Sequence, residues 1–288
     1  MAFCIFIKIH FGRKCGLFRR ETFQHQGKSY CLCCLGIGTT HLYSRCGTYG
    51  SSKSIHLEDM KNLLILFIII CFASGQSYSV SVFGIPAADV EQTIHDSGKI
   101  EFTSQNRGIF DLFWPAKNVY DAIYDSNSFA LKSWSKTVKQ GEFKQKVSGK
   151  VDFLGYLVYD DKTMIKIPKN IYTIFTLLAM VQSRPYHKLD TKWFDFEQEG
   201  QIGQARFVWA DTSNTWTGKD SVMCDHYRLD INIEDEEKKL DKRSDYFMEE
   251  VLADGVVREL WVSKKKPKRI IRATLKTNWF PISATINE

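Results

Sequence analysis

Beyond residue 75 this chain is almost without cysteine. Cys224 stands alone there, while six of the eight cysteines (Cys4, Cys15, Cys31, Cys33, Cys34 and Cys46) fall before residue 60. One cysteine closes no internal disulfide, so the later region holds its fold through burial alone. Its 213 residues are enough for a sizeable core. Net charge is missing too. Of 39 Lys/Arg and 33 Asp/Glu, nine and three lie in residues 1–75, which leaves 30 of each in the remainder. The formal +6 of the whole chain therefore belongs to its first quarter. A neutral remainder has no general attraction for nucleic-acid phosphates or anionic lipid, and no nucleic-acid partner is expected. Residues 76–288 contain no nucleotide-binding glycine loop, serine elbow or zinc-binding helix motif. That weighs against an enzyme, and no cofactor is expected.

Long apolar runs are equally scarce. The longest, LLILFIIICF at 63–72, is half of the roughly 20 residues a helix needs to cross a bilayer. Met60 and Lys61 precede it, and Ala73, Ser74 and Gly75 follow. A positive start, a short apolar stretch and small residues before a cleavage point make a secretory signal peptide. Cleavage after Gly75 leaves Gln76 at the new N-terminus. Ile70, not a small residue, precedes Cys71, so lipidation is not expected. A signal peptide belongs at the start of a protein. Translation from Met60 is therefore expected, with 1–59 an upstream segment without a fold, 60–75 the signal, and 76–288 one exported domain, periplasmic or secreted. Cys31, Cys33, Cys34, His41 and Cys46 have the residue types of a zinc site but not its paired spacing, so no metal is expected.

From Tyr78 onward the dominant period is two, the mark of half-buried strands. Alternation predicts strands at 87–95 and 99–106, hinged at Ser97-Gly98. Further strands follow at 119–124, 129–138, 142–147, 150–159 and 164–167, with breaks at Gln140-Gly141, Ser148-Gly149 and Asp160-Asp161. Segments 192–197 and 205–209 flank a turn at Glu199-Gly200-Gln201, and 222–233 follows. The nearly all-charged stretch 234–244 reads as a solvated loop. Asp254-Gly255 predicts a hairpin between strands 246–252 and 256–263. Strands 269–275 and 279–286 finish the chain. One interruption, 170–182, has Ile171, Ile174, Phe175 and Leu178 at helical spacing, ended by Arg184-Pro185. The fold class is mainly β: an antiparallel meander forming a barrel or curved half-barrel, with one short helix near 170–182. An outer-membrane barrel, which needs an apolar band on nearly every strand, does not fit. The exported form has no transmembrane span, and its oligomeric state is open.

Three stretches resemble a family of exported bacterial proteins called domain of unknown function 3108: YSVSVFGIPAAD from Tyr78, IKIP from Ile165 with the helical segment after it, and ELWVS from Glu259 with the final strands. The chain departs from that family at KKKPKR (264–269) and at Trp279-Phe280-Pro281. The resemblance implies export and a β-rich fold. It implies no activity and supplies no catalytic residues.

Candidate sites are few. Cys224 and His226 share a strand face across Asp225, but a metal needs a third ligand and a nucleophile an orienting group. A buried thiol beside a surface histidine is the plainer reading. Asp195 and Glu197 share a face and could act as acid and base, although a solvated outer face accounts for them. Trp114, Trp134, Trp209 and Trp261 could line a cavity for a lipid or other apolar ligand, or fill a core. Lys264, Lys265, Lys266, Lys268 and Arg269 could touch an anionic envelope surface, or discourage edge pairing. Taken together, the expectation is an exported β-barrel-like protein that binds an apolar or envelope-derived ligand or supports envelope assembly. The alternatives are a carboxylate-dependent hydrolase of envelope polymers and a structural partner-binding module.

Overall fold

The computed structural model describes residues 73–160, 162–233, 240, 246–277 and 280–288. The upstream segment, the signal region to residue 72, the cysteine cluster, Trp279 and most of the charged stretch 234–244 lie outside them.

Fourteen strands form one antiparallel sheet, and the chain enters it in the middle. From β1 (Ala73–Val82) it steps outward through β2 (Ile85–His95), β3 (Lys99–Asn106), β4 (Ala116–Tyr124), β5 (Leu131–Gln140), β6 (Phe143–Val151), β7 (Tyr156–Tyr159) and β8 (Met164–Lys166). It then crosses to the opposite edge at β9 (Trp193–Gln198). From there it returns through β10 (Gln201–Trp216), β11 (Ser221–Ile233), β12 (Val257–Ser263), β13 (Ile270–Lys276) and β14 (Pro281–Ile286), which pairs with β1. β1 begins three residues before the expected mature terminus; Gln76 is its first residue with a buried side chain among those whose burial is described. β8 and β9 do not pair, so the sheet stays unclosed. It is nonetheless curled, because side chains of β5 and β7 meet the end of β9 from the far side of the strand order.

The crossing segment contains α2 (Ile174–Ser183), which follows α1 (Gly108–Phe113) in the chain. Thr173 caps α2 by accepting from the Thr176 N–H, and Thr176 Oγ1 accepts from the Thr173 N–H at 3.0 Å. Eight of its ten residues are buried, which makes it a plug in the trough of the sheet rather than a lid on its surface. Phe175 packs 5.4 Å from Phe102 of β3 and 5.2 Å from Tyr120 of β4. Gln182 Oε1 accepts from Gln76 at 2.8 Å and Gln92 at 3.2 Å. Burial at about 1.5–3 kcal/mol per large apolar side chain outweighs the few tenths that the β-branched residues cost as helix formers. Ahead of the helix, Tyr172 is extended and caps the free edge of β9: its N–H donates to Asp195 O (2.9 Å) and its carbonyl accepts from Glu197 N (2.8 Å).

Several sequence expectations are corrected here. The helix starts at Ile174 rather than 170. It is also not alone: α1, a 3-10 turn at Tyr186–Lys188 and α3 (Tyr246–Leu252) accompany it among the described residues. Residues 246–252 are therefore helix, not a hairpin strand. Met248 and Val251 are three apart and both buried, a spacing that serves a helix. Arg258 then satisfies the loose carbonyls at its end, donating to Val251 O, to Ala253 O at 2.9 Å and to Val256 O at 3.0 Å. The strand expected at 150–159 is split, because the Asp152 carboxylate accepts from the Leu154 and Tyr156 N–H groups and folds the chain there. Ser148-Gly149 is not a break. β6 runs through it, and Gly149 is there for clearance: a Cβ would stand 3.1 Å from Trp134 Nε1 and 3.2 Å from Leu157 Cδ1.

Candidate functional site: a buried polar seam

Along β5, Trp134, Lys136, Val138 and Gln140 are buried and the intervening residues are not. The pleat thus puts a lysine on an inner face between a tryptophan and a valine. An unpaired charge there would be costly. The β9–β10 turn answers it. Glu199 and Gly200 take positive φ (50° and 90°) and fold the turn back beneath β5 and β7. Lys136 Nζ donates to Glu199 Oε1 at 2.7 Å, with side-chain exposures of 1% and 9%, and Gln198 Nε2 adds a second donor at 3.0 Å.

Beside that pair, Glu197 Oε1 accepts from the Tyr159 hydroxyl and from Gly200 N at 2.9 Å. Burial pushes the Glu197 carboxyl up to about 7, against the lowering effect of those two donors. Burial, and then the charge of Glu197, push the Tyr159 phenol up as well. Glu197 Oε2 and Trp134 Nε1 are both buried with no partner in hydrogen-bonding geometry, and the indole is the weakest of the influences favouring the ionised carboxyl. Trp134 meets Tyr159 edge to face at 6.0 Å, over Gly149. Glu197 thus has the proton affinity of an acid–base group near neutrality, yet it is 0% exposed.

This corrects the expectation of a solvated outer face for Asp195 and Glu197. Asp195 is half-buried and Glu197 fully buried, because the inner faces of β5 and β7 lie over the end of β9. Lys136, Tyr159 and Glu199 were not singled out from the sequence. A lysine two residues from Trp134 in an alternating strand was the available signal.

Above the seam, the outer face of β3–β7 carries a shallow groove of about 540 Å³, lined by Asp121, Ser133, Ser135, Ser148, Lys150 and Asp160 among others. Its two carboxylates are tied down locally. Lys99 stands 3.3 Å from Asp121, Ser135 Oγ donates to Asp121 at 3.3 Å, and Asp160 accepts from Ser148 N at 3.2 Å.

The four tryptophans expected to share a ligand do not converge. Trp134 is core. Trp209 is half-buried and stacks on Tyr186 at 5.0 Å. Trp261 stacks on His226 at 4.3 Å, with Arg272 5.3 Å from its ring. Trp114 is half-buried near the β5–β6 turn. The basic run is largely matched. Lys264 and Lys268 flank the buried Asp225 at 3.6 and 3.8 Å, and Arg269 Nη2 donates to Glu288 at 2.6 Å. Burial lowers the proton affinity of Lys268. Among the described residues only Lys265 and Lys266 of that run lack a carboxylate partner. Cys224 is a buried thiol, and His226 lies 3.4 Å from each of Asp211 and Glu259. No three His, Cys, Asp or Glu side chains among the described residues gather as metal ligands. No helix among them is long and apolar enough to cross a membrane.

No protein-family model matches the chain, and no curated protein matches it in sequence. Among solved structures it is similar to one described as a β-barrel-like protein of domain of unknown function DUF1849 from Brucella abortus. The two share 9% identity at a TM-score of 0.45, over 75% of this chain and 96% of that one.

Proposed function

We propose that this chain is an exported envelope protein whose work is binding rather than catalysis, and that it meets an envelope component on its outer surface. The observation that carries this reading is the filled trough: α2 occupies the space that a ligand-carrying barrel would leave for its cargo. Export is supported by the three-part pattern at 60–75. The test is fractionation and native mass spectrometry of the protein from its own cells. The expected result is an envelope-fraction protein whose mass begins at Gln76, with no lipid retained inside. A stoichiometric lipid that survives delipidation, and is displaced when Phe175→Trp crowds the trough, would overturn it.

One observation favours a second reading. Glu197, pushed up to about 7 beside Tyr159, has the tuning of a general acid–base group. If the seam opens to a polymer substrate, hydrolysis of isolated envelope polymers should be detectable and Glu197→Gln should abolish it. Equal turnover in both proteins removes that reading.

A further inference from the structure

One rim of the sheet gathers exposed apolar side chains above a row of lysines. In an antiparallel meander the β1–β2, β3–β4, β5–β6 and β13–β14 connections all fall at the same end. Contacts between them agree. Phe83 N donates to Pro281 O at 3.3 Å, the Phe83 and Phe280 rings lie 6.2 Å apart, and Gly141 N donates to Pro115 O at 2.8 Å. On this rim Leu112 is 78% exposed, Phe113 72%, Phe83 58% and Ile85 54%. Leu112 and Phe113 belong to α1, none of whose six residues is buried. A helix in a folded protein is ordinarily held by an apolar stripe turned inward; α1 half-buries Phe110 but leaves Ile109, Leu112 and Phe113 largely exposed.

One residue below the rim stand Lys117, Lys139 and Lys144, on adjacent strands. Lys117 is paired in register with Lys139, and Lys139 with Lys144, and all three are exposed. Lys146 lies on the same outer face of β6. Among the described residues none of these four makes an ion pair. Among the described acids at this end, Asp111 is half-buried, Glu142 is exposed and Asp89 is held by Arg107 at 2.8 Å, while Glu249, Glu250 and Asp254 belong to the β11–β12 connection, beyond β13 in the strand order from the lysine row. Like charges directly opposite one another destabilise a sheet, so the row calls for an external anion.

We propose that this rim docks on an anionic phospholipid bilayer. Phe83, Ile85, Leu112 and Phe113 enter the interfacial layer, and Lys117, Lys139 and Lys144 meet the headgroup phosphates. Apolar tips on separate loops, with cations one residue behind them, match the order of layers in a bilayer surface. The proposal rests on the functional reading above only in placing recognition on the outer surface, and it names the partner.

The test is co-sedimentation of the protein as isolated from its own cells, expected to begin at Gln76, with vesicles of equal parts phosphatidylglycerol and phosphatidylcholine, against pure phosphatidylcholine. Binding to the anionic vesicles is expected, weakened by salt. It should fall at least about tenfold in the Lys117→Gln/Lys139→Gln/Lys144→Gln variant and comparably in Leu112→Ser/Phe113→Ser. Lys265→Gln/Lys266→Gln, at the other end of the sheet, should bind as the parent does. No sedimentation, equal binding to neutral vesicles, or an undiminished triple variant overturns the proposal. Failure on vesicles by a chain that fractionates with the envelope leaves the proposed function standing, whereas a chain found in the cytosolic fraction removes that function whatever the vesicles show.

Discussion

The outer wall of β10–β13 and the rim end of the outer wall of β4–β6 share one strand geometry and follow opposite charge rules. On the first, Arg206 Nε donates to Asp230 at 2.9 Å, Arg228 Nε donates to the same carboxylate at 2.8 Å, and Lys276 stands 2.9 Å from Glu259. On the second, lysine faces lysine across three strands. Between them, inside the curl, Lys136 and Glu199 are paired because burial leaves no alternative. The difference separates two uses of charge. Where water is excluded, pairing is compulsory. Where water is present, pairing leaves a wall inert, and its absence leaves a wall ready for a counter-charge.

The buried end of this contrast predicts the largest effect. Lys136→Ala strands Glu199 in the seam, and unfolding in urea should show a loss of about 3–5 kcal/mol. The double variant Lys136→Met/Glu199→Leu should recover most of it, because a well-packed apolar pair carries no desolvation cost. A single-variant loss below about 1 kcal/mol, the range of an exposed pair, would place the seam with the surface walls.

Glu197 gives the next effect and a sign. Its ordinary value is 4.5 and its folded value about 7. Between those values the folded chain holds more proton than the unfolded chain, so its contribution to stability is full below about pH 4.5 and is lost as pH rises through 7. The full span corresponds to about 3 kcal/mol at most. Glu197→Gln keeps a carbonyl acceptor for Tyr159 and should flatten this slope in denaturation curves taken across the window. Glu101, on the water-facing side, has the opposite sign. Hydrogen bonding from Lys99, with help from His95, holds its carboxyl down at about 2, so its contribution is present above pH 4.5 and fades as pH falls toward 2. Partial exposure keeps that contribution small.

Gly149→Ala probes the seam by volume instead of charge. The added methyl meets Trp134 at 3.1 Å, Leu157 at 3.2 Å and Tyr159 at 3.4 Å. A cost of roughly 1–3 kcal/mol is expected. The near-ultraviolet signal of Trp134 should shift with it, and an unchanged signal would mean that the indole has free room.

Alternation revealed most of this architecture. β3 lies where its period places it, and Gly98, Gly141 and Gly200 turn the chain where glycine was read as a turn. Gly149 was misread because a glycine marks either a turn or a close approach, and only the partner across the sheet, Trp134, tells which. Residues 246–252 were misread because so short a segment fits both periods, until Arg258 is seen closing the helix. The seam was the least legible part. Glu197 shares its strand face with an exposed tryptophan, Trp193, and only the overlap of β5 and β7 onto the end of β9 buries it. That overlap is a property of sheet curl, set by strands distant in sequence. The lysine row was hidden for a related reason: Lys117, Lys139 and Lys144 are scattered singly along the chain and become a row only in register.

The smallest expected effect tests the two walls directly. Lys139 faces Lys117 on one side and Lys144 on the other. Lys139→Glu turns two repulsive pairs into two attractive ones, and each cross-strand pair is worth roughly 0.2–1 kcal/mol. The variant should therefore be more stable than the parent at low salt, with the gain shrinking at high salt as screening shortens the reach of surface charge. The matched wall should answer with the other sign. Asp230→Lys faces Arg206 and Arg228 with a third cation and should lower stability under the same conditions. Equal responses from the two substitutions would mean that register does not govern these charges, and the lysine row would then be an accident of composition, not a surface kept ready for an anion.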